Sequence, residues 1–524
     1  MFEFHLLEPF FLTLIPVIYL TGAIATAILP ARSLSGLGST VFGLAFTSAV
    51  VSAICSWWWP GATSWLNLAP LAHVMVLLIT TLGMILARFS KRYLAGNPGL
   101  PRFMVWFQLT LTSVAFITTT NHLLVFLGSW IAISISLHQL LMFFPERPRA
   151  ALAAHKKFIF ARVADLCLLV AFALLYARYD TLFIDQILTQ AAVSTSLPLE
   201  AKISAVLMAL AALFKCAQLP FHGWLIQVVE SPTPVSALLH AGVVNLGGFL
   251  MILMAPLISQ VAAAQWILLM VAGPTAVFAS LVMMTRISIK VRLAWSTCAQ
   301  MGWMLVECAL GLYELALLHL VAHSAYKAHA FLNAGDTVEV SLKRRLVAIN
   351  NPGWKEALPA ALLALALTVT SISVSEASGP AQLVSWIVPG LALTILLSEL
   401  FAAGGGVTFI LRGLILGAAF WGGYWAQKAA SHFLLAPPDN SASFAAVSFT
   451  GLLLIILIVG YFLVRYRRYS DLGIRFHRFL FAAAYLDEWA TRLTLNIWPA
   501  KLPDVVQPRS VLPISSPAGS KESV

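Results

Sequence analysis

The stretch "LFKCAQLPFHGWLIQVVESPTPVSALLH", Leu213–His240, sets a lysine, a glutamate and two histidines between flanks that are almost wholly apolar. An ionisable side chain at the centre of a bilayer costs about 2.5–3.5 kcal/mol on insertion scales, so a membrane chain keeps several only when they are paired, hydrated or used. The reading of these residues therefore depends on whether the stretch lies in a membrane.

The rest of the chain answers that. Apolar runs of about 20 residues recur from the N-terminus to Arg465, each long enough to cross a hydrocarbon core as a helix. Of the 524 residues, 60% are hydrophobic and 10% charged, and the mean hydropathy is +0.88. An ordinary soluble domain is about a quarter charged. Alternation of polar and apolar residues, the mark of a membrane barrel, is absent. The expected fold is an all-α polytopic membrane protein with roughly 13–15 transmembrane helices, and fifteen runs can be drawn, from 7–29 to 443–465. The opening "MFEFHLLEPF" carries Glu3 and Glu8 and no basic residue, so the first run reads as a retained span rather than a signal peptide.

The net charge of +11 sits in a few short loops. The clusters Arg88/Lys91/Arg92, Arg147/Arg149/Lys156/Lys157, Arg286/Lys290/Arg292, Lys343/Arg344/Arg345 and Arg465/Arg467/Arg468 follow odd-numbered runs. The positive-inside rule puts these loops and the C-terminus in the cytoplasm and the N-terminus on the opposite face. Loop charge thus accounts for the basic balance without a nucleic-acid partner. The cysteines Cys55, Cys167, Cys216, Cys298 and Cys308 all fall in apolar runs and form no CxxC pair, so they read as small apolar residues rather than metal ligands. Walker, Rossmann and zinc-binding spacings are missing as well. The glycines of "AAGGGVTF" (402–409) read as a loop between spans.

Within the opening stretch, Lys215 lies five residues before Pro220, and Pro232 and Pro234 follow Glu230. Proline removes a backbone donor and clashes with the preceding turn, so the span should break near Leu219 and end before Pro232. Broken helices in membranes line wet cavities and often coordinate ions. His240 falls in the first turns of the next run. Further on, "LYELALLHLVAHSAYKAHAFLNAG" spaces His319, His323 and Lys327 four apart, which sets them on one helical stripe at steps of about 6 Å. Imidazole both accepts and donates a proton, and a desolvated lysine releases one more readily, so the stripe suits a proton relay. A plain interhelical hydrogen-bonding stripe is the competing reading. Candidate acidic partners are Asp165, three residues after Arg162 and so able to pair with it, Glu230 and Glu307.

"KCAQLPFHGWL…ESPTPVSALLHAG", with "FARVAD" (160–165), "KVRLAWSTCAQMGWM" (290–304) and "HLVAHSAYKAHAFLNAG" (319–335), resembles the proton-translocating antiporter-like subunits of respiratory NADH:quinone oxidoreductase and of Mrp cation/proton antiporters. That resemblance implies two inverted five-helix repeats with broken helices. The expected organisation is N-terminal helices at 1–100, repeats at 101–258 and 259–428, a C-terminal span with an amphipathic segment at 429–498, and a disordered polar tail at 499–524. It further implies that Lys215 is the central broken-helix lysine, His240 the following relay residue, and His319, His323 and Lys327 the connecting relay.

Two departures narrow the resemblance. The family's glutamate after "GW" is missing, since Trp130 is followed by Ile131, which leaves Asp165 or Glu230 as replacement. The second repeat offers only "TSISVSEASGP" and "LLSELFAAGGG" where a broken helix is expected. With the C-terminal "YLDEWATRL", these features are similar to the membrane subunits of the DAB inorganic-carbon accumulation complexes. Similarity to that family implies conduction of protons, or sodium ions, coupled to bicarbonate formation by a DabA-like, zinc-binding, carbonic-anhydrase-like partner. This chain would itself hold no metal, cofactor or catalytic centre. The competing functions are a respiratory or Mrp subunit and a non-conducting membrane anchor.

Overall fold

The computed structural model describes residues 4–29, 34–194, 196–336, 339, 353–374, 379–402, 407–434 and 442–498. The expected tail from 499, the Lys343–Arg345 cluster, residues 375–378 and the glycines at 404–406 lie outside the described residues. Among those described there is no strand, only two isolated bridges, Leu66 to Thr120 and His122 to Phe183.

The helices run α1 (Leu7–Ile28), α2 (Leu34–Trp58), α3 (Pro70–Tyr93), α4 (Leu100–Thr119), α5 (Leu123–Leu141) and α6 (Pro148–Tyr179). A short α7 (Ile184–Val193) leads to α8 (Leu199–Lys215), α9 (Gly223–Gln227), α10 (Thr233–Ala241), α11 (Leu246–Leu253) and α12 (Ala255–Ile258). Then come α13 (Ala262–Met283), α14 (Ile289–Ala309), α15 (Tyr313–Leu332), α16 (Trp354–Val374), α17 (Pro380–Ala402), α18 (Val407–Leu434) and α19 (Phe444–Tyr466). Two short helices, α20 (Asp471–Phe481) and α21 (Glu488–Ile497), close the described chain.

Eleven helices among the described residues are long and apolar enough to span a membrane. The other expected spans are the broken pair α8/α9, α18, and the two helices that carry the polar residues, α14 and α15. Proline stands in the first turn of α3, α4, α6 and α10, where its missing N–H would have had no partner. Gly302 of α14 lies against Ala272 and Ala276 of α13, where a Cβ would meet the Ala272 carbonyl oxygen at 2.8 Å, so the two helices pack at backbone distance.

The core divides in two. One apolar cluster runs through α1 to α15 and takes in α19 and parts of α20 and α21. A smaller one joins α16, α17 and α18 around Trp386, Trp421 and Tyr424. Both α16 and α17 continue unbroken through Pro359 and Pro389.

The break in the opening stretch has a defined geometry. Helix α8 ends at Lys215, and Ala217 takes a left-handed φ of 51°. Its N–H reaches the Phe214 carbonyl at 3.2 Å while that of Gln218 reaches Leu213 at 3.1 Å, a Schellman closure with alanine where glycine is usual. Such a residue is strained by about 1–2 kcal/mol, and the surrounding contacts hold it. The Leu219 N–H donates to Thr275 Oγ1 at 3.1 Å, and Gln218 Nε2 donates to the Cys216 carbonyl at 2.8 Å. Cys298 Sγ donates to the Ala217 carbonyl at 3.2 Å, so this thiol is a donor at the break and not merely apolar filling. Thr275→Val should leave the Leu219 N–H without a partner and cost about 1–3 kcal/mol, read as a lower melting temperature in detergent than for the native chain.

Three boundaries differ from the sequence reading. Helix α6 begins at Pro148, which places Lys156 and Lys157, grouped by sequence with the loop charges, inside a helix and buries both. The span that carries His240 is interrupted at Gly242 (φ −126°, ψ −69°) and a 3-10 turn at Val243–Asn245, just beyond His240. Glu230 is carried away from Lys215, because the chain turns at Pro220 and α9 takes it to a surface, where it pairs with Arg149 at 3.9 Å.

One end of the bundle gathers the basic segments. Arg147 Nη1 donates to the Glu230 carbonyl at 3.1 Å, Lys290 Nζ to Thr233 Oγ1 at 2.9 Å, and Arg286 Nη2 to the Leu480 carbonyl at 3.1 Å. This is the basic end of the bundle. At the other end Glu8 lies buried against His73 at 3.3 Å, joining α1 to α3.

Candidate functional site

Lys215 stands at the C-terminus of α8, where the last carbonyls favour a cation. Its ammonium lies 4.2 Å from the centroid of the Trp130 ring on α5. Beside it is a cavity of about 20 Å³, lined among others by Trp130, Lys157, Phe160, Phe214, Lys215 and Trp224. That volume is enough for about one water molecule. Lys157, on α6, donates to the Ser134 carbonyl at 2.7 Å and to Ser134 Oγ at 2.9 Å. Two turns along the same helix, Arg162 Nη2 and Asp165 Oδ2 pair at 2.7 Å. Asp165 is the carboxylate whose field reaches both Lys157 and Lys215. The site thus holds two lysines, one arginine and one aspartate, with Ile131 following Trp130 on α5.

The second group of polar residues lies between α10, α14 and α15. His240 accepts from or donates to Thr297 Oγ1 through Nδ1 at 3.0 Å and stacks on Phe331, ring centroids 4.4 Å apart. Its Nε2 is buried and has no protein partner. His323 Nε2 lies 3.2 Å from the His240 carbonyl oxygen, which fixes Nε2 as the donor nitrogen. His319 Nδ1 stands 3.0 Å from Glu307 Oε1, and the His319 and His323 rings are 6.2 Å apart. Lys327 Nζ donates to the Leu293 carbonyl at 3.0 Å. Ser324, on the same helix, accepts from Asn245 Nδ2 at 2.7 Å, which holds α15 against the interruption after His240.

The structure therefore brings Glu307, His319, His323 and Lys327 into one file, with His240 alongside, and brings Asp165 and Arg162 to the neighbourhood of Lys215. It does not bring Glu230 there. Pro220 lies in the break, Pro232 precedes α10 and Pro234 sits in its first turn. Sequence reasoning missed Lys156 and Lys157, which it assigned to a loop. The signal was present: both sit in "ALAAHKKFIF", an apolar run that Pro148 opens as a helix.

In the sequence comparisons, residues 120–377 match the family described as NADH:quinone oxidoreductase/Mrp antiporter, transmembrane. The "Probable inorganic carbon transporter subunit DabB" of Hydrogenovibrio crunogenus is 46% identical over 507 residues, covering 95% of this chain and 96% of that protein. The "Probable inorganic carbon transporter subunit DabB2" of Halothiobacillus neapolitanus is 42% identical over 282 residues, 54% of this chain and 51% of that protein. Among solved structures, the Mrp complex from Dietzia sp. DQ12-45-1b superposes with a TM-score of 0.62 at 21% identity, covering 94% of this chain and 60% of that one, so the antiporter-like subunit fold is shared. With a relative matched along nearly its whole length, this chain belongs to the DabB family of membrane subunits, within the wider NADH:quinone oxidoreductase/Mrp antiporter group.

Proposed function

We propose that this chain is the proton-conducting membrane subunit of an inorganic-carbon accumulation complex, coupling ion flow to bicarbonate formation on a zinc-binding, carbonic-anhydrase-like partner. The observation that carries the reading is the file Glu307, His319, His323, Lys327 inside an apolar bundle, with Glu307 3.0 Å from His319 and the His319 and His323 rings 6.2 Å apart, a gap that one water spans. Glu307, His323 and Lys327 each bond across to a neighbouring helix, as a structural stripe would, but His240 Nε2 and His319 Nε2 are buried without protein partners, which leaves a ring nitrogen on each free to exchange a proton.

The roles follow from the contacts. Lys215, poised between Trp130 and the small cavity, takes up and releases the proton at the break, with the Arg162–Asp165 pair close by on α6. His319, His323 and Lys327 pass charge along α15, with His240 of α10 beside them and Glu307 of α14 in contact with His319. The basic end is assigned to the cytoplasm and the Glu8 end to the periplasm of an inner membrane. The chain has no catalytic centre of its own in this reading, and the zinc belongs to the partner. The name of the Hydrogenovibrio relative, an inorganic carbon transporter subunit, supports both the substrate and the existence of a complex.

Purification of the tagged chain from its native host in mild detergent, with mass spectrometry and zinc analysis, tests this assignment. One large soluble-type partner carrying zinc is the expected result. Recovery of respiratory or Mrp subunits without zinc would overturn it.

A further inference from the structure

Beyond α19 the chain turns back along the basic end as α20 and α21. Between them Ala483, Ala484 and Tyr485 all take left-handed backbone, with φ of 49°, 50° and 55°. Three consecutive residues without glycine in that region are strained, and such strain persists only where contacts enforce a position. What the turn places is Asp487. Its carboxylate receives Lys156 Nζ at 2.9 Å (Oδ1) and 2.7 Å (Oδ2), and Gln227 Nε2 at 2.9 Å. Lys156 also donates to Thr491 Oγ1 at 2.8 Å. The Lys156 side chain is fully buried, 0% exposed, while that of Asp487 is 26% exposed. Gly223 makes the approach possible, since a Cβ there would overlap the Asp487 carboxylate. The hairpin is fixed by Trp489 against Phe221, centroids 5.7 Å apart, and by Trp498 stacked on His155 at 3.9 Å.

Asp487 also lines a partly open cavity of about 410 Å³ at the basic end, together with His222, Arg286, Trp295, Glu488 and Arg492. The small cavity of Lys215 lies one layer deeper. His222 and Gly223 line the outer cavity, and the next residue, Trp224, lines the inner one. Likewise Lys156 turns to Asp487, and its neighbour Lys157 turns to the inner cavity. Two adjacent residues of α9 and two of α6 thus separate an open vestibule from the broken-helix site.

We propose that Asp487 is the proton-loading carboxylate of the vestibule, the group through which protons pass between the basic-end solvent and the Lys215 site. It stands where a carboxylate meets both solvent and a buried lysine. This inference rests on the conducting role proposed above and adds a residue to it. Protonation of Asp487 breaks its pair with Lys156 and leaves that ammonium uncompensated, so the proton is driven onward or back rather than stored. Burial raises the Asp487 carboxyl from its ordinary value, with Lys156 opposing the shift. The other charged or titratable groups lining the cavity with it are His222, Arg286, Tyr485, Glu488 and Arg492.

The test is proton flux in liposomes holding the full chain with its co-purifying partner, measured against pH on the basic side. Asp487→Asn is expected to lower flux about tenfold and flatten that pH profile, with Asp487→Glu recovering most of both. Because the asparagine variant leaves Lys156 unpaired, Lys156→Met/Asp487→Leu is measured as well. Apolar replacement of a buried ion pair is often neutral for stability, so this chain should fold and still conduct about tenfold less. Native flux and pH profile in the double variant would overturn the proposal and leave the pair a structural clamp. If Lys215→Met stops flux while Asp487→Asn leaves it native, only the role of Asp487 fails. If the native chain itself shows no flux above protein-free liposomes, the conducting role fails with it.

Discussion

Lys215→Met lowers proton flux by about a hundredfold in the reconstituted complex, to the leak of protein-free liposomes, while leaving yield and partner recovery native; this is the largest effect the structure leads us to expect. Methionine keeps the length of the side chain and exchanges a cation–π contact for a sulfur contact with the Trp130 ring, so the break around Ala217 keeps its packing. What is lost is the ammonium that ends α8 at the break, beside the small cavity that Lys157 of α6 also lines. Lys215→Arg sharpens the test. A guanidinium keeps the positive charge toward Asp165 but does not release its proton in a protein, so it should be as inactive as methionine. Substantial flux in the arginine variant would mean that charge alone is needed at position 215, and would point to a metal cation rather than a proton as the moving ion.

The second large effect belongs to His323. Removing it by His323→Ala leaves His319 and Lys327 eight residues apart on α15, about 12 Å along the axis, twice what one water bridges. It also removes the donor that meets the His240 carbonyl beside the interruption of the helix. Flux should fall at least tenfold, with a correspondingly lower growth rate under carbon limitation. Cys167→Ala is the control, since its partly buried thiol on α6 takes no part in the file and should leave flux native. Equal activity of the two variants would remove the ladder from the mechanism and return it to helix packing.

The spans were legible because each is a local composition event, a run of about 20 apolar residues that any window detects. The break was legible because Pro220 acts on its own helix, and the file His319, His323, Lys327 because four-residue spacing is a property of one helix. What escaped the sequence involves either orientation or distance along the chain. Glu230 seemed a partner for Lys215 from proximity in sequence, yet the turn at Pro220 sends the two to different layers, and Glu230 meets Arg149 instead. The interruption after His240 rests on Gly242 and on Asn245 binding Ser324 of another helix, a contact with no local mark. Lys156 and Lys157 were grouped with loop charges because the rule that assigns topology counts basic residues without asking whether they are buried. The counter-charge of Lys156 lies 331 residues away, beyond the reach of any pattern in a window.

That separation also sets an order for biogenesis. Lys156 enters the membrane with α6, and its carboxylate is translated 331 residues later. At about 5–20 residues per second the wait is on the order of tens of seconds. Through that interval the growing bundle carries a lysine at its basic mouth without its final partner, a state that costs several kcal/mol if the ammonium is buried, so water must stay with it. The mouth therefore closes only when the C-terminal hairpin leaves the ribosome and folds back. Insertion of the last span does not complete the protein. A nascent chain stalled short of Asp487 would hold every described span and still present an open, hydrated flaw for a membrane protease to find.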